Sequence, residues 1–326
     1  MARMTTPAAP APPAGSRWQP ATVTRLVSAA AWTMLFAQSA IIVTGALVRL
    51  TGSGLGCPTW PMCTDESLVN TPEMGIHGYI EFGNRLLGVA LGLLGVAILV
   101  PLWRLRRTRP DLFWLTFWLT AVVPFQALLG GLTVRTQLNP WIVAAHFIPS
   151  AIAVGASAYL VRRTADSGRD PRPLGTPLLR GLCWAIGGLM VVVVLLGVLV
   201  TGAGPHAGDV ISARNGLDTV MISRLHAIPV WLLIGATVLA RILSARQGLS
   251  ELSRALTVLL LVQAAQGAIG YFQYFTGLPI AAVALHLVGA CLVIAATVAV
   301  IDACYRRAPL PATAVPDSPQ AVHQTV

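Results

Sequence analysis

Eight apolar stretches, each long enough to cross a bilayer, dominate this chain of 326 residues. They run near Leu26–Val48, Gly78–Trp103, Leu112–Val134, Trp141–Val161, Leu178–Val200, Val220–Ala240, Ala255–Phe275 and Ile280–Ala303. About 20 apolar residues span the hydrocarbon core as a helix, because a helix satisfies its own backbone where no water can. With 55% hydrophobic and only 10% charged residues, a water-soluble domain would lack the polar surface to cover itself. The expected fold class is all-α, a polytopic membrane protein with eight transmembrane helices.

Charge is sparse but ordered. All 22 basic residues are arginines, and lysine is absent. Arg104, Arg106, Arg107 and Arg109 fill the second loop, and Arg162, Arg163, Arg169, Arg172 and Arg180 surround the fourth. Arg241, Arg246 and Arg254 flank the sixth, and Arg306 and Arg307 follow the last span. The alternate loops carry only Arg49, Arg135 and Arg214. This is the positive-inside pattern, which places both termini in the cytoplasm and the intervening loops outside the cell (plasma) membrane. Topology therefore accounts for the net charge of +10, and nucleic acid is not an expected partner. Residues 1–22 and 306–326, rich in Pro and Ala or polar, read as disordered cytoplasmic tails. The first apolar stretch is long and has no clear small-residue cleavage site, so it is expected to stay as a helix.

The chain also repeats itself. Moving helices 3 and 4 by 140 positions places Gln126 on Gln266, Gly130 on Gly270 and His146 on His286. Thr51-Gly52-Ser53-Gly54 is echoed by Thr201-Gly202-Ala203-Gly204. An even number of spans per unit preserves orientation, so the halves are related by an axis along the membrane normal. The expected architecture is two tandem pseudo-symmetric four-helix bundles. The N-terminal half occupies residues 23–163, a cytoplasmic linker 164–177 and the C-terminal half 178–305.

Three of the six histidines, His146, His226 and His286, lie inside spans, each about two helical turns from the same end. A histidine in lipid is costly and marks a functional interior. Neutral imidazoles in a dry helical bundle suit heme iron, and His226 and His286 are placed to clamp a heme axially as a low-spin electron-transfer centre. For either residue alone, a hydrogen bond to a neighbouring helix is the plain alternative. The first half combines His146 with a helix 2 that reads His77-Gly78-Tyr79-Ile80-Glu81-Phe82-Gly83-Asn84-Arg85. His77, Glu81 and Asn84 fall on one helical face, and Glu81 and Arg85 are spaced for a salt bridge. An intramembrane carboxylate is also a candidate for chemistry, and Arg85 for holding a propionate. The first half thus reads as a reactive site and the second as an electron relay.

Cys183, Cys291 and Cys304 read as small buried hydrophobes. Cys57 and Cys63 sit in the first outer loop, where disulfides persist, and a bond stapling that loop over a site is expected ahead of a metal pair or free thiols. His206 and Asp209 shape the mouth of the second pocket or belong to a solvated turn.

Taken together, these residues resemble the heme A synthase family, membrane enzymes that oxidise heme O to heme A for cytochrome c oxidases. The resemblance rests on Thr51 through Cys63, on Ile80 through Arg85, on Thr201 through Asp209 and on the spaced histidines, and runs from about residue 25 to residue 305. It implies oxidation of the C8 methyl of heme O to a formyl group, with Glu81 catalytic and His146 an iron ligand. Asn84, Arg85 and His77 would line the substrate heme, His226 and His286 would hold the heme b, and Cys57 and Cys63 match the family's outer cysteine pair. Many members carry histidine where Asn84 stands. An amide is a poor iron ligand, so the resemblance leaves one axial face open, with His77 as a distant substitute. The implied partners are heme O, the lipid bilayer, an unidentified electron donor or acceptor, heme O synthase and cytochrome c oxidase assembly factors. Two other classes compete. A di-heme b-type transmembrane electron-transfer cytochrome would place hemes near both faces and would not need Glu81. A secondary transporter would account for the repeat and for Glu81–Arg85, but not for the histidines.

Overall fold

The computed structural model describes residues 22–167 and 171–307. Most of both expected tails, and Arg169, lie outside the described residues. Eight long helices form, and each is long and apolar enough to cross a membrane. They are α1 Arg25–Leu50, α2 Gly75–Leu102, α3 Pro110–Arg135, α4 Pro140–Arg163, α5 Pro177–Ala203, α6 Thr219–Arg246, α7 Ser250–Phe275 and α8 Ile280–Ala303. A two-residue antiparallel pair, β1 (Arg172–Pro173) with β2 (Tyr305–Arg306), ties the linker to the end of α8. The protein is an all-α polytopic membrane protein.

Several helices outrun the apolar stretches that predict them. The sixth loop shows this best: α6 continues past Ala240 to Arg246, and α7 begins at Ser250 rather than Ala255. Hydropathy marks only the hydrocarbon crossing, and a helix has no reason to stop where headgroups begin. Local chemistry sets the starts. Pro110, Pro140 and Pro177 each open a helix, where a missing N–H costs nothing. Asn139 Oδ1 accepts the Trp141 N–H at 3.0 Å, and Asp218 Oδ1 accepts the Met221 N–H at 2.6 Å.

Each half is a closed ring of four helices. In the first, α1 packs on α2, α2 on α3, α3 on α4 and α4 on α1, and the second repeats this order from α5 to α8. The even-numbered helices of each ring are therefore diagonal partners with the bundle interior between them. The halves meet where α4 packs on α5 and α8, and where α1 packs on α8. Ile42, Val154 and Cys291 are buried at that seam, and Gly155 admits Ile294 there.

Both bundles are filled from one end. In the first, the buried core is Val27, Ala31 and Met34 of α1, Leu91, Ile98 and Leu102 of α2, Leu112, Phe113 and Leu119 of α3, and Ala153 and Leu160 of α4, with Leu105 beside them. All of these lie in the half of their helix nearer the arginine-rich loops. In the second bundle the core likewise runs from Leu179 to Met190 on α5, through Leu233 and Ala240, then Leu252 to Leu259, to Val293 through Ala303. The same end is locked by buried Asp302, which pairs with Arg162 at 2.8 Å, with Arg307 at 2.6 Å and with Arg163. Outward, Trp32, Phe36, Leu93, Trp118 and Phe125 are exposed, as a surface solvated by lipid allows.

Candidate functional site

The opposite end of each bundle holds the histidines, and the repeat recurs there in contacts. In the second half, His286 of α8 stands against Gly270 of α7, where a side-chain carbon would lie 3.2 Å from the imidazole Cε1. His226 of α6 meets Gly197 of α5 at the same 3.2 Å. In the first half, His146 of α4 faces Gly130 of α3 at 3.5 Å. The remaining even-numbered helix, α2, puts Asn84 opposite Gly45 of α1, with Nδ2 at 3.8 Å. Each inward polar side chain thus lies flat against a glycine on the preceding helix. At Gly197 and Gly270 even a single added carbon crowds the imidazole, whereas at Gly130 and Gly45 it would meet His146 and Asn84 at ordinary contact distance.

Glutamines hold the backbone behind two of these rings. Gln126 Nε2 donates to the His146 carbonyl at 2.8 Å, and Gln266 Nε2 to the His286 carbonyl at 2.7 Å. Gln126 also contacts Ser150 Oγ. Pro149 and Pro229, three residues past His146 and His226, lack the N–H that would bond the carbonyls of Ala145 and Leu225. The turn after each of these histidines is therefore loosened on the side of the bundle interior.

Nδ1 of His146, of His226 and of His286 is buried without a hydrogen bond, as is Oδ1 of Asn84. His226 and His286, on diagonal helices, are near enough to interact electrostatically. Among the described residues no three His, Cys, Asp or Glu side chains gather as a bare-ion site. Single imidazoles on facing walls, with glycines keeping the walls flat, fit a planar macrocycle that brings its own equatorial donors.

The first half has more than an inward imidazole. Glu81 is 5% exposed, and its carboxylate is held on both sides. Oε2 accepts the Cys57 N–H at 2.7 Å, and Oε1 pairs with Arg85 at 2.6 Å. Arg85 in turn donates to the carbonyls of Cys57 and Thr59 at 3.0 Å and of Met62 at 3.2 Å. Those carbonyls belong to the ring closed by a Cys57–Cys63 disulfide. The ring reaches α3 as well, since Trp60 packs on Gly131 and Arg135 donates to the Trp60 carbonyl at 3.1 Å. Gly130 and Gly131 thus seat the His146 ring and the Trp60 indole side by side. A stapled roof covers this end of the bundle, and one buried ion pair connects it to α2.

His77 is exposed, and its Nδ1 shares a hydrogen bond with Ser53 Oγ at 2.9 Å, next to Thr51 Oγ1. Its ring is engaged by the loop above, a turn beyond Glu81. In the second half His206 Nε2 bonds the Leu278 carbonyl at 3.0 Å, so the fifth loop is tied to the seventh. Asp209 closes a local turn by accepting the Ile211 N–H at 3.0 Å. Cys183, Cys291 and Cys304 are buried among apolar neighbours.

Comparison with known proteins gives this arrangement a lineage. Residues 28–212, more than half of the chain, match the COX15-CtaA family of cytochrome oxidase assembly proteins. The chain belongs to that family. The matched region holds the disulfide loop, Glu81, Asn84, Arg85 and His146, and ends before His226. A protein named heme A synthase from Geobacillus kaustophilus is 32% identical over 133 residues, 40% of each chain. One of the same name from Shouchella clausii is 32% identical over 140 residues, covering 43% of this chain and 46% of that protein. A third, from Bartonella bacilliformis, is 26% identical over 237 residues, covering 62% of this chain and 65% of the relative. The chain thus matches less than half the length of the first two relatives and just under two thirds of the third.

Trp60 packs on Gly131 and Ser53 bonds His77 at this end of the first bundle, although spacing alone does not single them out. The signals for them are the Gly130-Gly131 pair, which leaves room for an indole, and the Thr51–Gly54 turn.

Proposed function

We propose that this protein is a heme A synthase that oxidises the C8 methyl group of heme O to a formyl group. The observation that carries the proposal is Glu81, a carboxylate fixed in a membrane helix beneath a disulfide-closed roof, in the same bundle as the single imidazole of His146. The names of its relatives support the same activity. On this reading the N-terminal half receives heme O and the C-terminal half holds a heme b between His226 and His286.

Two successive two-electron oxidations of one methyl carbon, each replacing a C–H with a C–OH whose oxygen comes from water and passing two electrons to an external acceptor, give a gem-diol, which loses water to leave the aldehyde. Bound heme supplies the redox chemistry, and the chain supplies position, charge and proton handling. His146 holds the substrate iron and so fixes the macrocycle's height in the bundle. Glu81 places negative charge where positive charge develops at the carbon being oxidised, or accepts the proton released there. Arg85 acts through the roof and Glu81: its Nε and one terminal nitrogen both donate to Oε1, while the Cys57 N–H holds Oε2, so the carboxylate keeps one orientation. Trp60 and the loop around it exclude water from the reacting end. His226 and His286 would hold the heme b, which would supply electron transfer to or from an unidentified partner, and heme O synthase and oxidase assembly factors are the neighbours that chemistry suggests. Positive-inside charge supports cytoplasmic termini, which puts the roof outside the membrane.

The test is heme extraction from membranes of cells that make heme O, with and without this protein. The proposal requires heme A to appear with the wild-type chain and to be absent with Glu81→Gln. A di-heme electron carrier would leave heme O unchanged in both.

A further inference from the structure

The two bundles place four equivalent side chains against four glycines, and three of the four are histidine. The exception is Asn84, seated on Gly45 as His226 is seated on Gly197. No other group in the first bundle replaces the missing imidazole. Glu81 and Arg85 are engaged with each other and with the roof. His77 is exposed and bonded to Ser53. Asn84 itself has an unpartnered Oδ1 buried in the bundle, so its amide is free to turn toward whatever enters.

We propose that Asn84 makes the N-terminal site a five-coordinate heme site whose sixth position admits a small diatomic or anionic ligand, with the Asn84 amide as its hydrogen-bond donor. This rests on the reading that the first bundle binds heme through His146. The chemistry follows from the donor inventory. A carboxamide is a weak iron ligand but carries two N–H donors that an imidazole ligated to iron cannot offer. Because Oδ1 makes no bond, flipping the amide costs it no hydrogen bond and turns the Nδ2 donor to the bundle interior, and a polar donor beside an open axial face separates ligand binding from pure electron transfer at a heme. The two bundles would then differ in kind. One is closed by two imidazoles and exchanges electrons, and the other is open on one face and binds a co-substrate.

The test uses the purified full-length protein loaded with hemin and reduced, with carbon monoxide as the probe. Wild type should bind one carbon monoxide per chain at a high-spin heme, while the second heme stays low-spin and inert. Asn84→His should abolish carbon monoxide binding and convert the first site to a low-spin spectrum. Asn84→Leu should retain carbon monoxide but raise its stretching frequency, because the donor is gone. Two low-spin hemes and no carbon monoxide adduct in wild type would overturn the inference while leaving heme binding intact. If His146→Ala removes no heme, the reading beneath the inference fails instead. The wild-type measurement decides the matter even where a variant does not fold.

Discussion

Arg85 offers the clearest lesson at the scale of single residues. Its guanidinium bonds Glu81 and three loop carbonyls, so one side chain holds both the reacting carboxylate and the roof. Replacing it with Met strands a buried carboxylate, a change that typically costs about 3–5 kcal/mol. The expected outcome is a lower unfolding midpoint in detergent and loss of heme A, with the b-type spectrum retained. Glu81→Gln should behave differently. It keeps the shape and one hydrogen bond, so the unfolding midpoint should move little while heme A falls by about 100-fold or more. The spacing of Glu81 and Arg85 announces the ion pair in the sequence. The three carbonyls do not show there, because they depend on where a loop of irregular backbone folds back. Asn84 is legible only as a departure from what its neighbours in the repeat carry.

Among the elements, the repeat is the informative object. The offset of 140 that relates Gln126, Gly130 and His146 to Gln266, Gly270 and His286 extends into the connecting turns. Leu138 and Leu278 both adopt left-handed backbone, with φ of 58° and 61°, and bond back to Thr133 and Gln273 at 2.7 and 2.8 Å. The other ligand pairs hide from any single offset. Asn84 and His226 differ by 142 positions and Gly45 and Gly197 by 152, because the first loop is longer than the fifth. Packing reveals that correspondence where alignment by eye cannot. It also makes a prediction. Gly270→Val would place a branched carbon against His286, within the 3.2 Å already measured for a bare Cβ. The reduced spectrum of the purified variant should lose its low-spin b-type band. Gly267→Val, one turn earlier and facing open space, should keep it. Helix ends were the other part that hydropathy left open, since polar termini carry no apolar signal.

Across the whole molecule, each bundle is packed solid at the arginine-rich end and carries its inward histidines toward the other, where we place the chemistry. Asp302 fastens the solid end by joining three arginines of α4 and the chain after α8. Asp302→Asn leaves those charges poorly compensated, and a loss of about 3–5 kcal/mol is expected from breaking such a buried network. Thermal unfolding should record it, whereas the heme spectra of the folded fraction should not change. At the opposite end, Arg49 donating to the Thr201 carbonyl at 2.6 Å and Gly54 to the Gly208 carbonyl at 2.8 Å hold the two sites in fixed register. Composition and charge pattern make the two-bundle membrane fold readable from sequence. The division of labour between bundles depends on Glu81, the disulfide roof and the odd residue at position 84, and it is the central claim. The most direct measurement is the heme content of membranes from heme O-producing cells that carry wild-type or Glu81→Gln protein. The account predicts heme A with the first and only heme O with the second, both proteins keeping the b-type spectrum of the C-terminal half. Undiminished heme A with Glu81→Gln would contradict it.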